Sequence, residues 1–140
     1  MCGMTSAHLD MVRAYYKALD EQDWAVTDRC IGPSYVWIDH GAGVVARTPS
    51  EIEAALADEE PWKGTSSLDI EHAFETTDGA LIVQGVRSGT ITGTWRGMEA
   101  SGQRITFPFC SVLRFDDDGR IVHEEQYYDM LAVRRQLGYD

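Results

Sequence analysis

The clearest pattern in the chain is an alternation of period two over residues 103–115. Ile105, Phe107, Phe109, Ser111, Leu113 and Phe115 fall on one side of it. Successive side chains of a strand point to opposite faces, so this almost wholly apolar side is expected to face a core or a cavity. A second β-rich run, residues 120–129, follows the cluster Asp116-Asp117-Asp118-Gly119, and the two runs read as an antiparallel hairpin. The turn decides what shares the apolar face. A three-residue loop with Gly119 in the left-handed conformation sets residue 115 opposite 121 and residue 107 opposite 129. Ile121, His123, Glu125, Tyr127 and Asp129 then join the aromatic side. A two- or four-residue loop moves the register by one and brings Val122, Glu124, Gln126 and Tyr128 there instead. Gly119 favours the first register. In both registers polar groups reach the inner face, which points to a lined pocket rather than a packed core.

The rest of the chain divides on the same grounds. Residues 6–21 carry Leu9, Val12, Tyr15, Tyr16 and Leu19 at helical spacing, with Thr5 or Ser6 able to cap. A short second helix is expected over 24–30, ending at Gly32-Pro33. A strand over 34–39 puts Tyr35, Trp37 and Asp39 on one side and Val36, Ile38 and His40 on the other. Gly41-Ala42-Gly43 is a loop, and Thr48-Pro49-Ser50-Glu51 opens a third helix that presents Ile52, Ala55 and Leu56. A loop over 61–67 holds Trp62. Strands follow at 68–76 and 80–90, and a 93–102 connection leads to the strand at 104–115. Asp129 stands at the N-cap of a last helix, with Arg134 and Arg135 in its final turn and Gly138 just beyond. Helices early and an antiparallel meander late make an α+β protein, a curved sheet wrapped around the first helices.

Composition narrows the function. The 140 residues suit one domain, and 44% hydrophobic content is ordinary for a globular chain. A net charge of −11 argues against nucleic-acid and anionic-membrane partners, which need a basic face. No apolar run approaches a membrane span, and residues 1–5 lack the features of a signal peptide, so a cytoplasmic location is expected. Cys2, Cys30 and Cys110 are far apart and odd in number, and His8, His40, His72 and His123 lack ligand spacing. Neither a disulfide framework nor a metal site is expected. The acidic run Asp58-Glu59-Glu60 reads as a solvated helix end.

Three helices followed by a long meander resemble the nuclear transport factor two-like fold, and within it the SnoaL-like branch that includes polyketide cyclases. The stretches that carry the likeness are Gly93-Thr-Trp-Arg-Gly97, residues 102–107, residues 115–121, Tyr127-Tyr-Asp-Met-Leu131 and Arg135-Gln-Leu-Gly138. The resemblance implies a cone-shaped α+β barrel with a deep hydrophobic pocket, commonly a homodimer through the outer sheet face. Ketosteroid isomerases of this fold place a Tyr on the first helix and a general-base Asp at the end of the first strand. Tyr15 and Asp39 match those places, while the second oxyanion donor falls near Ser111. The limonene-epoxide-hydrolase branch uses an Asp-Arg-Asp set. Here Arg87 is present without its Asp, and Gln126 replaces the final acid, which argues against water addition by that route. SnoaL-like cyclases use one pocket Asp, for which Asp39 and Asp129 are the candidates.

Each candidate also has a plain structural role. Tyr35 and Trp37 beside Asp39 would desolvate its carboxylate and make it a better base, whereas an Asp ending a strand before glycine is often only a turn residue. Capping alone explains Asp129. Tyr15 belongs to an apolar stripe, and His40 falls on the opposite face from Asp39 under strict alternation, although a twist of the chain there makes it a second acid/base candidate. Arg87, inside a strand, needs a partner such as Glu71 or Glu125, or else holds a substrate oxyanion. Trp37, Trp62, Phe107, Phe109 and Tyr128 are expected to shape the site.

The expected function is acid/base chemistry, without a cofactor, on a small apolar carbonyl compound, by aldol closure or double-bond migration. Asp39 is the expected base and Asp129 the second candidate. The alternatives are a binding or assembly module without chemistry, and a dehydratase or epoxide-opening enzyme.

Overall fold

A computed structural model of the chain describes residues 6–139, so the Thr5 cap and Cys2 lie outside the described residues. The order is α1 (Ser6–Glu21), α2 (Trp24–Cys30), β1 (Ile31–Asp39), β2 (Val44–Ala46), α3 (Pro49–Ala57), a 3₁₀ turn (Glu60–Trp62), β3 (Ser67–Glu75), β4 (Leu81–Trp95), β5 (Met98–Phe115), β6 (Ile121–Tyr128) and α4 (Met130–Gln136). One six-stranded sheet runs β2-β1-β6-β5-β4-β3. Only the β1–β6 pair is parallel within it. Helices lead and the sheet follows, the α+β arrangement that the hydropathy pattern predicts.

The local signals act as expected at several points. Thr48 accepts from the Glu51 amide while Glu51 reaches back, a capping box with proline in the first turn of α3. Asp129 caps α4 through the Ala132 amide, and Gly138 follows with φ +91°. Val12, Tyr15, Tyr16 and Leu19 are buried along one face of α1 and pack on Tyr35, Trp37, Val83, Phe109 and Leu113 of the sheet. A second cluster joins Trp62, Ile91, Trp95, Ile105 and Phe107 to Val133 of the last helix and to Leu137 at its C-cap.

The 93–102 segment differs from expectation. It is the tip of a long β4–β5 hairpin rather than a connection, with a bulge between Ile91 and Thr92. Trp95 pairs with Met98 across Arg96-Gly97, whose φ values of +51° and +77° make a two-residue turn of the hairpin-favouring hand. The short strand β2, which has no alternation to reveal it, adds to the edge of β1.

The β5–β6 register corrects the expected one. Phe115 pairs with Ile121 as Gly119 suggests, but Arg114 then pairs with His123, leaving Val122 as an extra residue. Beyond this bulge every side chain of β6 changes face. Leu113 pairs with Glu124, Ser111 with Gln126 and Phe109 with Tyr128, so Glu124, Gln126 and Tyr128 join the aromatic side. His123, Glu125 and Tyr127 turn outward. No described helix is long and apolar enough to cross a membrane.

Candidate active site

The inward residues of β1, β4 and β6, the face of α1 and the roof formed by α3 enclose a cavity. Tyr15, Leu19, Tyr35, Trp37, Ile52, Ala55, Leu56, Glu59, Leu68, Arg87, Arg96 and Gln126 line it. Its volume is about 30 Å³, room for roughly two waters. It is narrower than the deep pocket expected, and its mostly apolar lining is interrupted by Glu59, Arg87, Arg96 and Gln126. An open groove of about 870 Å³ between α2, β1 and α3 meets it and shares Tyr35, Ile52 and Leu56 with it. The helix that separates the two, α3, has no buried residue.

One wall of the cavity is a hydroxyl network. Tyr15 and Tyr35 stand 2.8 Å apart, oxygen to oxygen, and Tyr35 lies 3.3 Å from Oε1 of Glu124. Oε2 of Glu124 accepts from Tyr16 at 2.8 Å and from the Gln126 amide at 3.2 Å. Glu124 is 0% exposed. Burial raises its pKa above the ordinary carboxylate value, although the hydrogen bonds from its neighbours oppose the shift. Burial also holds the phenols of Tyr15, Tyr16 and Tyr35 well above their ordinary value, so they remain donors.

The other wall is a buried ion network. Arg96 lies between the rings of Trp37 and Trp95, at 5.0 and 4.9 Å from their centroids. Its guanidinium pairs with Asp39 at 3.0 Å, with Asp58, and with Glu59 at 3.8 Å. These carboxylates hold it above its ordinary pKa even though burial, the largest effect on it, acts the other way. Glu59 also binds Arg87 at 3.0 Å and accepts from the Trp95 indole at 2.9 Å. Burial alone would raise the pKa of Glu59, but Arg87 and Arg96 bring it below the ordinary value. Arg87 receives further support from Ser66 and lies 3.8 Å over the Trp62 ring.

The residues expected at the site separate into three groups. Tyr15, Tyr35, Trp37, Arg87 and Gln126 line the cavity. Asp39, Phe107, Phe109 and Tyr128 stand behind it around a smaller void that also touches Arg87, Arg96 and Gln126. Asp39 is buried with both oxygens engaged: Oδ1 accepts from the Ala42 amide, and Oδ2 from Arg96 and Tyr128. Trp62 is buried beneath Arg87 rather than at the cavity surface. Asp129 is exposed, with its carboxylate on the helix cap. His40 is exposed on the outer side, stacked on Tyr127 and paired with Glu125.

Two expectations are corrected. Arg87 pairs with Glu59, not with Glu71 or Glu125, because β4 aims it inward while those acids are outside. Glu59 is not part of a solvated helix end: the 3₁₀ turn after α3 folds it under the sheet, while Asp58 is half-buried and Glu60 faces water beside Lys63. The residues that sequence reasoning missed are Arg96, Glu59, Glu124 and Tyr16. An arginine at a hairpin tip gives no sign of burial, and the only hint was the tryptophan on either side of the fold that could receive it.

Comparison with solved structures returns the same architecture. A candidate SnoaL-like polyketide cyclase from a Jannaschia species superposes with a TM-score of 0.83 at 17% identity, covering 100% of this chain and 97% of its own. A second, from Shewanella denitrificans, gives 0.78 at 21% identity, with 95% and 98% covered. An LEH-like epoxide hydrolase from Mycobacterium tuberculosis gives 0.71 at 20% identity, with 95% and 90% covered. At these identities the likeness establishes the nuclear transport factor two-like fold. No curated protein matches the chain. The sequence profile of the SnoaL-like polyketide cyclases matches residues 9–137, nearly the whole of it, and the chain belongs to that family.

Proposed function

We propose that this protein is an acid/base enzyme for a small, mostly apolar carbonyl compound, and that the carbonyl oxygen is bound by the Tyr15–Tyr35 pair. One observation carries the reading: two protonated phenols, 2.8 Å apart, line the cavity together, and Tyr35 also lines the groove through which a ligand would enter. Donors fixed before the reaction stabilise the negative charge that grows on oxygen as an enolate forms. The apolar body of the ligand lies along Trp37, Ile52 and Leu56, beneath α3, whose Ile52, Ala55 and Leu56 are only partly buried where they pack on the core. Aldol closure and double-bond migration both pass through such an enolate. Of the three carboxylates, Glu59 lines the cavity and is the proton acceptor of this scheme, with Asp39 behind the cavity and Asp129 on the helix cap as the other candidates.

The test is exchange of the hydrogens beside the carbonyl in deuterated water, followed by NMR over a panel of planar ketones and polyketide mimics. The protein is expected to accelerate exchange for some members. Tyr35→Phe should lower that rate by roughly a hundredfold, the usual cost of one oxyanion donor. Acceleration that survives Tyr35→Phe unchanged would refute the assignment.

A second reading has its own support. Asp39 and Glu59 are both ion-paired with arginine, as expected of a binding module whose carboxylates are structural. It predicts saturable ligand binding with no exchange. We also place a homodimer contact on the outer sheet face, where Phe74 and Tyr127 are 53% and 44% exposed. Tyr127→Glu should then yield monomers in sedimentation.

A further inference from the structure

We propose that Glu124 is the proton reserve of this site and delivers its proton to the ligand oxygen along Glu124, Tyr35 and Tyr15. The inference rests on the reading above, that a carbonyl oxygen binds at the tyrosine pair. It assigns a role to a residue that does not itself line the cavity, so Glu124 acts through Tyr35 rather than by touching the ligand.

The hydrogen bonds give the chain a direction. Oε2 of Glu124 already accepts twice, from Tyr16 and from Gln126. Oε1 lies 3.3 Å from the Tyr35 hydroxyl, which donates to it when the carboxyl is ionised and accepts from it when the carboxyl carries its proton. A proton on Glu124 therefore sits on Oε1 and points at Tyr35, whose own proton turns to Tyr15 at 2.8 Å, leaving the Tyr15 proton for the cavity. The groups that face Glu124 are Tyr15 and Tyr16 from α1, Tyr35 from β1, Ser111 from β5 and Gln126 from β6. Ser111 is fully buried beside Glu124 and Tyr16. Among the described residues no cation pairs with Glu124, while Arg87 and Arg96 are held by Glu59, Asp39 and Asp58. A carboxyl buried without a cation is one that keeps its proton, and the raised pKa agrees with the geometry.

The step balances on one proton. As charge grows on the ligand oxygen, Tyr15 gives its hydroxyl proton to that oxygen and takes one from Tyr35. Tyr35 in turn takes one from Oε1 of Glu124. One O–H bond breaks at Glu124 and one forms on the ligand, giving an enol. The carboxylate left behind keeps the bonds from Tyr16 and Gln126 and gains a true donor in Tyr35. Collapse of the enol returns the proton by the same route.

The experiment uses para-nitrophenol, an enolate mimic whose ionised form is yellow. At mildly alkaline pH the free probe is largely ionised, and binding to the wild-type protein should bleach it without proton uptake from solution, because the proton comes from Glu124. Glu124→Gln should bind it yellow. Carboxyl-resolved NMR of the wild-type protein, which needs no variant, should show Glu124 neutral before the probe is added and ionised afterwards. A Glu124 carboxyl already ionised at neutral pH in the free protein overturns the proposal, as does identical bleaching by Glu124→Gln. If Tyr35→Phe binds the probe as tightly as wild type, or if neither binds it, the carbonyl-site reading fails and this proposal falls with it. Binding that depends on Tyr35, with bleaching that Glu124→Gln leaves unchanged, overturns the relay alone.

Discussion

The guanidinium of Arg96 closes on Asp39, Nε to Oδ2 at 3.0 Å, with the two side chains 4% and 1% exposed. Arg96 reaches this place from a left-handed backbone conformation that costs a residue with a Cβ about 1–2 kcal/mol. The pairing with Asp39, Asp58 and Glu59 and the flanking tryptophans offset that cost. Arg96→Met removes the cation and leaves two buried carboxylates with less compensation. It is expected to lower stability in urea unfolding by about 3–5 kcal/mol, the range for breaking a buried pair from one side. A loss under about 1 kcal/mol would show that the pairing is incidental.

Tyr128 reaches Asp39 because Gly41 makes room. A Cβ on Gly41 would lie 2.4 Å from the Tyr128 ring, closer than any carbon contact allows. Gly41→Ala should push the ring away and break its 2.8 Å bond to Asp39. The expected cost is about 1–3 kcal/mol, as for an overpacked core. The Tyr128 hydroxyl, held above its ordinary pKa by burial and by Asp39, should titrate closer to the usual phenol value in that variant. An unchanged titration would mean that the ring adapts in place.

The two fully internal glutamates give opposite pH dependences. Glu59 has a lowered pKa, so the stability it contributes is present above the unfolded carboxylate value and is lost as pH falls through the folded one. Glu124 has a raised pKa. As pH rises past about 4.3, the unfolded glutamate value, the unfolded chain loses this proton while the folded chain retains it. Stability then falls by about 1.4 kcal/mol per pH unit until the folded group ionises. Glu124→Gln should remove that slope and Glu59→Gln should not. Unfolding free energies measured from mildly acidic to neutral pH will show which residue carries it.

Much of the architecture was legible in residue order. The apolar stripe of α1, the Thr48 capping box, Asp129 as a helix cap and the inward set Tyr35, Trp37 and Asp39 all follow from period and local chemistry. The inner face of β6 did not. Ile121-Val-His-Glu-Glu-Gln-Tyr-Tyr128 has no apolar alternation, so nothing in it fixes the register. A bulge at Val122 then moves Glu124 inside and Glu125 outside. The ion network was hidden for another reason. Asp39, Glu59, Arg87 and Arg96 are far apart in sequence, and each one alone looks like a turn, a helix end or a surface charge. Only the fold of the β4–β5 hairpin over the 3₁₀ turn brings them together.

The central claim is that a ligand carbonyl oxygen rests on Tyr15 and Tyr35. Isotope-edited infrared difference spectroscopy of a bound, carbonyl-labelled planar ketone tests it most directly. Hydrogen bonding to Tyr15, strengthened by the bond that Tyr15 accepts from Tyr35, weakens the C=O bond, so the account predicts a lower stretching frequency on binding to the wild-type protein. It predicts a return toward the free value in Tyr35→Phe and no change in Asp129→Asn. A bound ketone whose stretch is unshifted, or whose shift survives Tyr35→Phe and vanishes in Asp129→Asn, would contradict it.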